Sequence, residues 1–343
     1  MKQLTLRLSL LITLCLSAGA VIVLSGFGDP AVINAPSNGA PAEDVHEDSQ
    51  APAAAGGTPA VYFTRDISPA GLEAVFKALK RDARGRVAVK ISTGEPGGRN
   101  FLQPALIKDF VQSVNGALVE SNTAYGGRRA STVAHRQAAR DHGFTAIAQV
   151  DILDADGETK LPVKNGTHLK ENIVGSHYKN YDFWVILSHF KGHAMGGFGG
   201  AIKNMSIGIA SPAGKSWIHS AGASRTNPWG GQQNAFLESM AEAAQSVADD
   251  RGEQILYINV MNRLSVDCDC SSNPAEPDMH DIGILSSLDP VALDKASVDL
   301  VYAAPDGRSL IQRIESRNGL LTLNHAAKIG LGSLNYQLVH LDS

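Results

Sequence analysis

Short apolar segments alternate with amphipathic helical segments through residues 61–152, and this alternation constrains the fold more than any other feature of the chain. Residues 86–91 carry apolar side chains at every second position, as a strand does, whereas residues 103–115 repeat them with the period of a helix. The same order returns in a strand predicted at residues 117–120 and a helix predicted at residues 130–142. Strands that alternate with helices of this length predict an α/β fold with a mainly parallel central sheet flanked by helices.

The second half of the chain continues this pattern with two strongly apolar strands. Residues 182–190 and 255–260 are apolar enough to be buried central strands. Residues 191–232 carry many glycines and no clear period, so we expect long Gly-rich loops at one edge of the sheet. Because residues 309–341 add two helices and a last strand to the pattern, residues 61–343 are predicted to form one α/β domain.

The N-terminal segment, residues 1–26, has the pattern of an export signal. Lys2 and Arg7 precede an apolar run at residues 8–16, and the small residues 18–20 offer a cleavage site. The apolar character continues for several further residues, long enough for a retained membrane anchor, so a cleaved signal peptide and an anchor both stay open. In either case we expect the domain to be exported, and to be periplasmic or anchored to the membrane.

Residues 27–60 are predicted to be a disordered linker between that segment and the domain. They are rich in Ala, Pro, Gly and acidic residues and contain no aromatic residue after Phe27. Such a segment cannot bury enough apolar surface to offset the loss of chain entropy on folding.

Composition and charge argue against one class of partner. A hydrophobic content of 43% and a charged content of 19% are ordinary for a globular protein. The net charge of −4 gives no field that would attract a polyanion, so we do not expect a nucleic-acid partner.

The strongest functional motif follows the first of the two apolar strands. It contains His189, Lys191 and His193, and after a run of glycines it ends with Lys203 and Asn204. In open α/β sheets ligands bind outside the carboxyl ends of the strands, where glycine lets backbone N–H groups approach an anion. We therefore predict that the lysines and Asn204 bind a small anionic ligand and that the histidines serve as metal ligands. A glycine-rich turn with solvated lysines is the alternative.

A second motif, with Cys268 and Cys270, follows the other apolar strand, and Asp281 lies shortly after it. Two thiols one residue apart can bind a soft metal, and a carboxylate adds a harder ligand. Together with His189 and His193, these three residues are the predicted ligands of a transition metal, with zinc or iron as the candidates. Because export favours oxidation, a small and easily reduced disulfide between the cysteines is the alternative.

Two further loops add polar side chains after predicted strands. Lys90 lies near the end of one strand, and Asn122 and Arg128 follow the next. Arginine near a helix N-terminus suits an anionic ligand. Since loops after parallel strands leave the sheet at the same edge, we expect Lys90, Asn122 and Arg128 to contribute to the same ligand site.

These motifs, in this order, resemble the domain-of-unknown-function family 362, known as uncharacterised Fe–S centre proteins. The motifs are Lys90–Gly97, Asn122–Thr123 with Gly126–Arg128, Lys191–His193 with Gly199–Asn204, Cys268–Cys270 with Asp281–Ile284 and Asp289–Asp294, and Gly330–Tyr336. The resemblance covers about residues 61–341. It implies the ligand site described above but no reaction, because the activity of the family is unassigned.

The Fe–S name of the family rests on an inserted ferredoxin-like module that many members carry. The corresponding stretch of this chain, residues 211–234, contains no cysteine, and the whole chain has three. Because a cysteine-ligated 4Fe–4S cluster needs four thiolates, we do not predict such a cluster here.

Two hypotheses about function follow. The first is a metal-dependent or redox enzyme that acts on a small anionic substrate. A redox enzyme would also need a redox partner. The other is a non-catalytic envelope protein that binds a small anionic ligand. A cysteine pair close to either histidine would favour the first hypothesis, whereas a pair on a distant surface loop would favour the second.

Overall fold

A computed structural model of the chain describes residues 57–342. Within this range eight strands form a central sheet, and four more form two small antiparallel pairs. In chain order the strands are β1 (Ala60–Thr64), β2 (Val87–Lys90), β3 (Gly116–Glu120), β4 (Val150–Ile152), β5 (Glu158–Pro162), β6 (Glu171–Gly175), β7 (Phe183–His189), β8 (Lys191–His193), β9 (Gly197–Gly199), β10 (Ile255–Met261), β11 (Gly283–Ser287) and β12 (Gln337–His340).

Helices connect most of the sheet strands and flank the sheet. They are α1 (Pro69–Ala78), α2 (Pro104–Ser113), α3 (Thr132–Asp141), α4 (Ala201–Ser206), α5 (Pro212–His219), α6 (Gln233–Arg251), α7 (Pro290–Ala303), α8 (Arg308–Ser316) and α9 (Leu320–Lys328), with two 3-10 helices at Phe144–Ala146 and Ser176–Asn180.

The central sheet has the strand order β12-β1-β11-β10-β7-β2-β3-β4. Neighbouring strands are parallel except where β11 pairs with β10 and with β1. This topology confirms the predicted α/β fold with a mainly parallel sheet flanked by helices. The direction of β11 is reversed because the chain returns from the end of β10 through residues 262–282 without a crossover helix.

Strand β7 is buried along its whole length and lies between two hydrophobic cores. Phe183, Val185 and Leu187 pack into the core on one face of the sheet, and Trp184 and Ile186 pack into the core on the other. Burial on both faces explains why the sequence of this strand is continuously apolar rather than alternating. The end of β7, which carries part of the candidate site, is therefore held from both sides.

Residues 191–232, predicted to be mostly loop, contain more regular structure than their sequence indicates. They form the β8–β9 pair and helices α4 and α5. Strands of three residues and a helix of six are too short to show a hydrophobic period, which is the reason for the error.

The predicted export segment, residues 1–26, and nearly all of the predicted linker, residues 27–60, lie outside the described residues. The last residue of that linker, Ala60, already belongs to β1. Among the helices of residues 57–342, none combines the length and the apolar character needed to span a bilayer.

Asp294 fixes the start of helix α4. Its carboxylate accepts hydrogen bonds from the backbone N–H groups of Ala201 (2.7 Å) and Ile202 (2.9 Å) and from Nδ2 of Asn259 on β10 (2.8 Å). Gly200 precedes the helix because a Cβ atom there would lie 2.3 Å from the Asp294 carboxylate. These contacts join α4 to α7 and β10, and they thereby position the polar residues that α4 presents at the sheet edge.

We expect Asp294→Asn to lower the free energy of unfolding by about 1–3 kcal/mol, because a donor at this buried site would face an amide NH2 instead of an oxygen. Chemical denaturation measures the effect. The matched control is Asp109→Asn on the exposed side of α2, which should stay within about 0.5 kcal/mol of the unchanged protein. Equal stabilities for the two variants would contradict the anchoring role of Asp294.

Candidate functional site

A cavity of about 70 Å³ opens at the carboxyl ends of β2, β3 and β7. Its charged wall residues are the cations Lys90, Arg129, Lys191, Lys203 and Lys215 and the carboxylates Glu120 and Asp269. Cations therefore outnumber carboxylates, and the cavity is a positively charged site at the edge of a parallel sheet.

The topology of the sheet explains why these side chains meet. Lys90, Glu120 and His189 are the last residues of β2, β3 and β7, which are parallel neighbours in the sheet. Residues 262–282 begin at the end of β10 and return into β11, so this connection stays at the same edge and brings Asp269 to the cavity.

Glu120 is the centre of a buried ion-pair network. It accepts hydrogen bonds from Nζ of Lys90 (3.1 Å) and Nη1 of Arg129 (3.1 Å), and Nε of Arg129 also donates to Glu95 (3.0 Å). The four side chains are at most 8% exposed. Burial alone would raise the pKa of Glu120, but the attraction of Lys90 and Arg129 lowers it to about 2. Glu120 is thus negatively charged at physiological pH, and it links the end of β3 to Lys90 on β2 and to Arg129 in the following loop.

Asn204 of α4 joins the ends of β2 and β7. Its Nδ2 donates to the carbonyl oxygens of Lys90 (3.1 Å) and Leu187 (3.2 Å), and its Oδ1 accepts from Nζ of Lys90 (3.0 Å). The amide is saturated by these contacts, so Asn204 holds the wall of the cavity in place.

Asp269 makes the second buried charge cluster. It accepts hydrogen bonds from Nζ of Lys191 (2.7 Å) and Nδ1 of His189 (2.9 Å). Burial alone would raise the pKa of Asp269, but the attraction of His189 and Lys191 and their hydrogen bonds hold it well below its usual range. Nε2 of His189 faces the carbonyl oxygen of Asn262 (2.7 Å), so both ring nitrogens face acceptors and neither offers a free lone pair to a metal.

Lys203 has no such partner. Within residues 57–342 its Nζ forms no hydrogen bond or ion pair. Burial, followed by repulsion from Lys191, lowers the pKa of Lys203 to about 7, although Asp269 acts in the opposite direction. Gly199 leaves room for the chain of Lys203, since a Cβ atom there would lie 3.0 Å from its Cδ. Near neutral pH the amine therefore exists in both its charged and its neutral form.

Helix α5 supplies another wall of the cavity. Nζ of Lys215 donates to the carbonyl oxygen of Ala210 (2.5 Å), and burial lowers the pKa of Lys215 to about 8. Nδ1 of His219 donates to the carbonyl oxygen of Lys215 (2.8 Å), which leaves Nε2 to accept from the hydroxyl of Tyr125 (3.3 Å). Burial also lowers the pKa of His219 to about 4, so this ring is neutral at physiological pH.

The cysteine pair lies beside His193. One ring nitrogen of His193 and the Sγ atoms of Cys268 and Cys270 lie within 4.8 Å of one another. The two sulfurs form a disulfide, so in this state they offer no thiolate to a metal. Nδ1 of His193 accepts a hydrogen bond from the backbone N–H of Gly196 (2.8 Å), and burial holds the pKa of His193 well below its usual range. The neutral ring therefore carries its proton on Nε2.

Most of the residues predicted from the sequence meet at this cavity. Those that line it are Lys90, Lys191, Lys203, Asn204, His189, His193 and Cys270. Asn122 lies behind the wall, where its amide donates to Asp154 (2.9 Å). Arg128 is exposed and contacts the network only through its backbone N–H, and the exposed Asp281 accepts from the backbone N–H of Arg263. These positions do not test binding, so the proposed roles stay predictions.

Four charged residues of the cavity were absent from the predicted site, namely Glu120, Arg129, Lys215 and Asp269. Glu120 could have been predicted from the sequence, because a charged residue that ends a buried strand usually has a partner or a function. Arg129 could not be distinguished from Arg128, since only the conformation of the loop decides which of two adjacent arginines points inward. Lys215 lies in the segment without a hydrophobic period.

We expect the amine of Lys203 to titrate near pH 7. Trace acetylation of the native protein at a series of pH values, with each lysine quantified by peptide mass spectrometry, measures the midpoint. The same peptide labelled in denaturant is the control. A native midpoint near the roughly 10.4 of a free lysine would contradict the burial and repulsion described here.

Comparisons with known proteins place the chain in a family. No curated protein matches it. Two solved structures share 17% and 11% sequence identity with it, at TM-scores of 0.37 and 0.38. The first is the lactate racemase apoprotein from Thermoanaerobacterium thermosaccharolyticum, where the match covers 58% of this chain and 50% of that one. The second is a structural-genomics protein from Thermotoga maritima, where the match covers 76% of this chain and 58% of that one. The chain thus spans about half the length of each of these proteins.

A family model gives the firmer result. The family described as "Domain of unknown function (DUF362)" matches residues 87–299, which include every residue that lines the cavity. This match confirms the resemblance seen in the order of the loop motifs. Because it extends over more than half of the chain, we conclude that the chain belongs to the DUF362 family.

Proposed function

We propose that the cavity binds a small anion and that Lys203 exchanges a proton with it, so that the protein acts as an enzyme on a small anionic substrate. The observation that carries the proposal is the amine of Lys203, which faces a predominantly cationic cavity without a partner of its own.

The charge balance of the cavity supports an anionic ligand. Lys90 and Arg129 share the charge of Glu120, and Lys191 is paired with Asp269. Lys203 has no carboxylate of its own. A buried cation without a counter-charge lowers stability, so an anion that supplies the missing charge gains favourable electrostatic energy when it binds.

The size of the cavity limits the ligand. A volume of about 70 Å³ is several times the roughly 10–15 Å³ that one water molecule requires. The cavity therefore accepts a compact anion, such as phosphate or a short carboxylic acid, whereas a nucleotide is too large to be enclosed.

The pKa of Lys203 suits acid–base chemistry. A general acid or base works best when its pKa lies near the working pH, and lysine reaches this range when burial and neighbouring cations destabilise its charged form. Lys203 has both conditions. Lys191 donates to Asp269 at 2.7 Å and is better suited to holding the anion than to moving a proton.

Metal-dependent chemistry is a second candidate, favoured by the closeness of His193, Cys268 and Cys270. Zinc and iron accept such a mixed set of thiolate and imidazole ligands. The disulfide has to be reduced first, and the proton on Nε2 of His193 has to leave. Asp281 and His189, which the sequence also suggested as ligands, lie outside this three-residue group. A metal bound there would act as a Lewis acid next to the anion site.

We also propose that the protein works in the cell envelope, as its first 26 residues predict. The disulfide supports this location, because disulfides persist in oxidising compartments. Fractionation of the cells that express the full chain, followed by detection in the periplasmic and membrane fractions, tests it.

We expect small anions to bind with uptake of a proton above pH 7, because the bound anion favours the charged form of Lys203. Calorimetric titration of phosphate and of short carboxylic acids, repeated in buffers of different ionisation enthalpy, measures an uptake that approaches about one proton per site near pH 8. Affinity should fall as the pH rises through about 7 and beyond.

Two variants give this experiment its controls. Lys203→Met should weaken binding at least about tenfold and abolish the proton uptake, since the missing charge is buried. Lys108→Met replaces an exposed lysine of α2 and should leave both quantities unchanged. Proton uptake that persists in Lys203→Met would show that another group takes up the proton, and it would contradict the proposed role of Lys203.

We expect the reduced protein to bind about one Zn²⁺ per chain and the oxidised protein to bind none, because a cysteine sulfur binds zinc as a thiolate and cannot do so within a disulfide. Equilibrium dialysis with elemental analysis measures the ratio. The double variant Cys268→Ser, Cys270→Ser should lose the metal and keep its fold, while Asp109→Asn, at an exposed position of α2, should retain it. Binding that is equal in both redox states would exclude the two cysteines as ligands.

A further inference from the structure

The Cys268–Cys270 disulfide lies beside the cavity, whose wall includes Cys270. It belongs to the connection between β10 and β11, which begins and ends at the ligand-binding edge of the sheet. The residue between the cysteines, Asp269, is fixed by Lys191 and His189, and its carbonyl oxygen accepts a hydrogen bond from the backbone N–H of Glu95 (2.7 Å). The turn that carries both sulfurs is therefore held in place independently of the bond between them.

The two sulfurs are not equally accessible. Cys268 is 5% exposed, whereas Cys270 is exposed and lines the cavity. An incoming thiolate therefore reaches the exposed Cys270 more readily than the buried Cys268. The approach is electrostatically favourable, because Lys191 and Lys203 line the same cavity.

His193 is placed to assist the departing sulfur. Its Nδ1 accepts the backbone N–H of Gly196, so the proton of the neutral ring lies on Nε2 and is available to donate. A ring nitrogen lies within 4.8 Å of both sulfurs, so the imidazole is next to the sulfur that leaves when the bond opens. A hydrogen bond to a thiolate stabilises the leaving group of thiol–disulfide exchange.

We propose that Cys268–Cys270 is a redox-active disulfide that exchanges with an external dithiol, with Cys270 as the attacked sulfur and Cys268 as the leaving thiolate. One thiolate of the dithiol forms a bond to Cys270 Sγ and breaks the Cys270–Cys268 bond. Its second thiol, once deprotonated, attacks the mixed disulfide and releases Cys270. The protein gains two electrons and, after protonation, two protons, and the dithiol becomes a disulfide. This exchange does not require the cavity to bind an anion.

The test compares the two single-cysteine variants in the full chain. In Cys268→Ser the thiol of Cys270 remains, and in Cys270→Ser the thiol of Cys268 remains. Each variant is mixed with oxidised glutathione, and peptide mass spectrometry follows mixed-disulfide formation at each cysteine, so that Cys15 is counted separately. The same reaction in denaturant gives the intrinsic rates, and circular dichroism confirms that both variants are folded.

We expect Cys270 to react at least about tenfold faster than Cys268 in the native state and at a similar rate in denaturant, because access to the sulfur controls the reaction. The unchanged protein should be fully and reversibly reduced by dithiothreitol without unfolding. Equal native rates, a faster Cys268, or a disulfide that dithiothreitol reduces only after unfolding would each overturn the proposal. None of these results depends on anion binding, so failure here is distinguishable from failure of the proposed function.

Discussion

Two buried carboxylates hold the cationic edge of the sheet together. In a medium of low dielectric constant several buried cations repel one another strongly, and the fold tolerates them only with nearby counter-charges. Glu120 neutralises part of the charge of Lys90 and Arg129, and Asp269 pairs with Lys191. Each carboxylate joins segments that are far apart in sequence. Because removal of one partner of a buried pair typically costs about 3–5 kcal/mol, the formation of this site and the folding of the domain are closely linked.

The charge that these carboxylates leave uncompensated is the one on which the proposed function depends. Lys203 is positioned by α4, whose start is fixed by Asp294, and its amine faces the cavity without a partner. Its lowered pKa means that the folded state binds its proton less tightly than the unfolded state. Its unfavourable contribution to stability is therefore largest below about pH 7 and disappears as the pH rises towards the value of an unfolded lysine. A residue that lowers the stability of the fold in this way is typical of a binding or catalytic site.

The sequence was most informative where physical constraints are local and periodic. The alternation of strands and helices predicted the parallel sheet, and the rule that loops follow strands at one edge predicted that Lys90, Lys191 and Lys203 converge. The sequence was least informative where tertiary contacts decide. Which of Arg128 and Arg129 points inward depends on the conformation of one loop. The short elements within residues 191–232 are held by burial and by the Asp294 cap rather than by their own period.

The proposed anion site and the disulfide meet at Asp269, and the geometry there indicates how they would influence each other. The carboxylate of Asp269 is paired with Lys191 and His189, and neither contact involves a sulfur atom. Opening the disulfide would therefore leave the charge balance of the cavity unchanged, because the same carboxylate still neutralises the same cations. What changes on reduction is the chemistry of the wall, where Cys270 becomes a free thiol beside the proposed anion site. One cavity can thus keep its ligand specificity in both redox states while its reactivity differs between them.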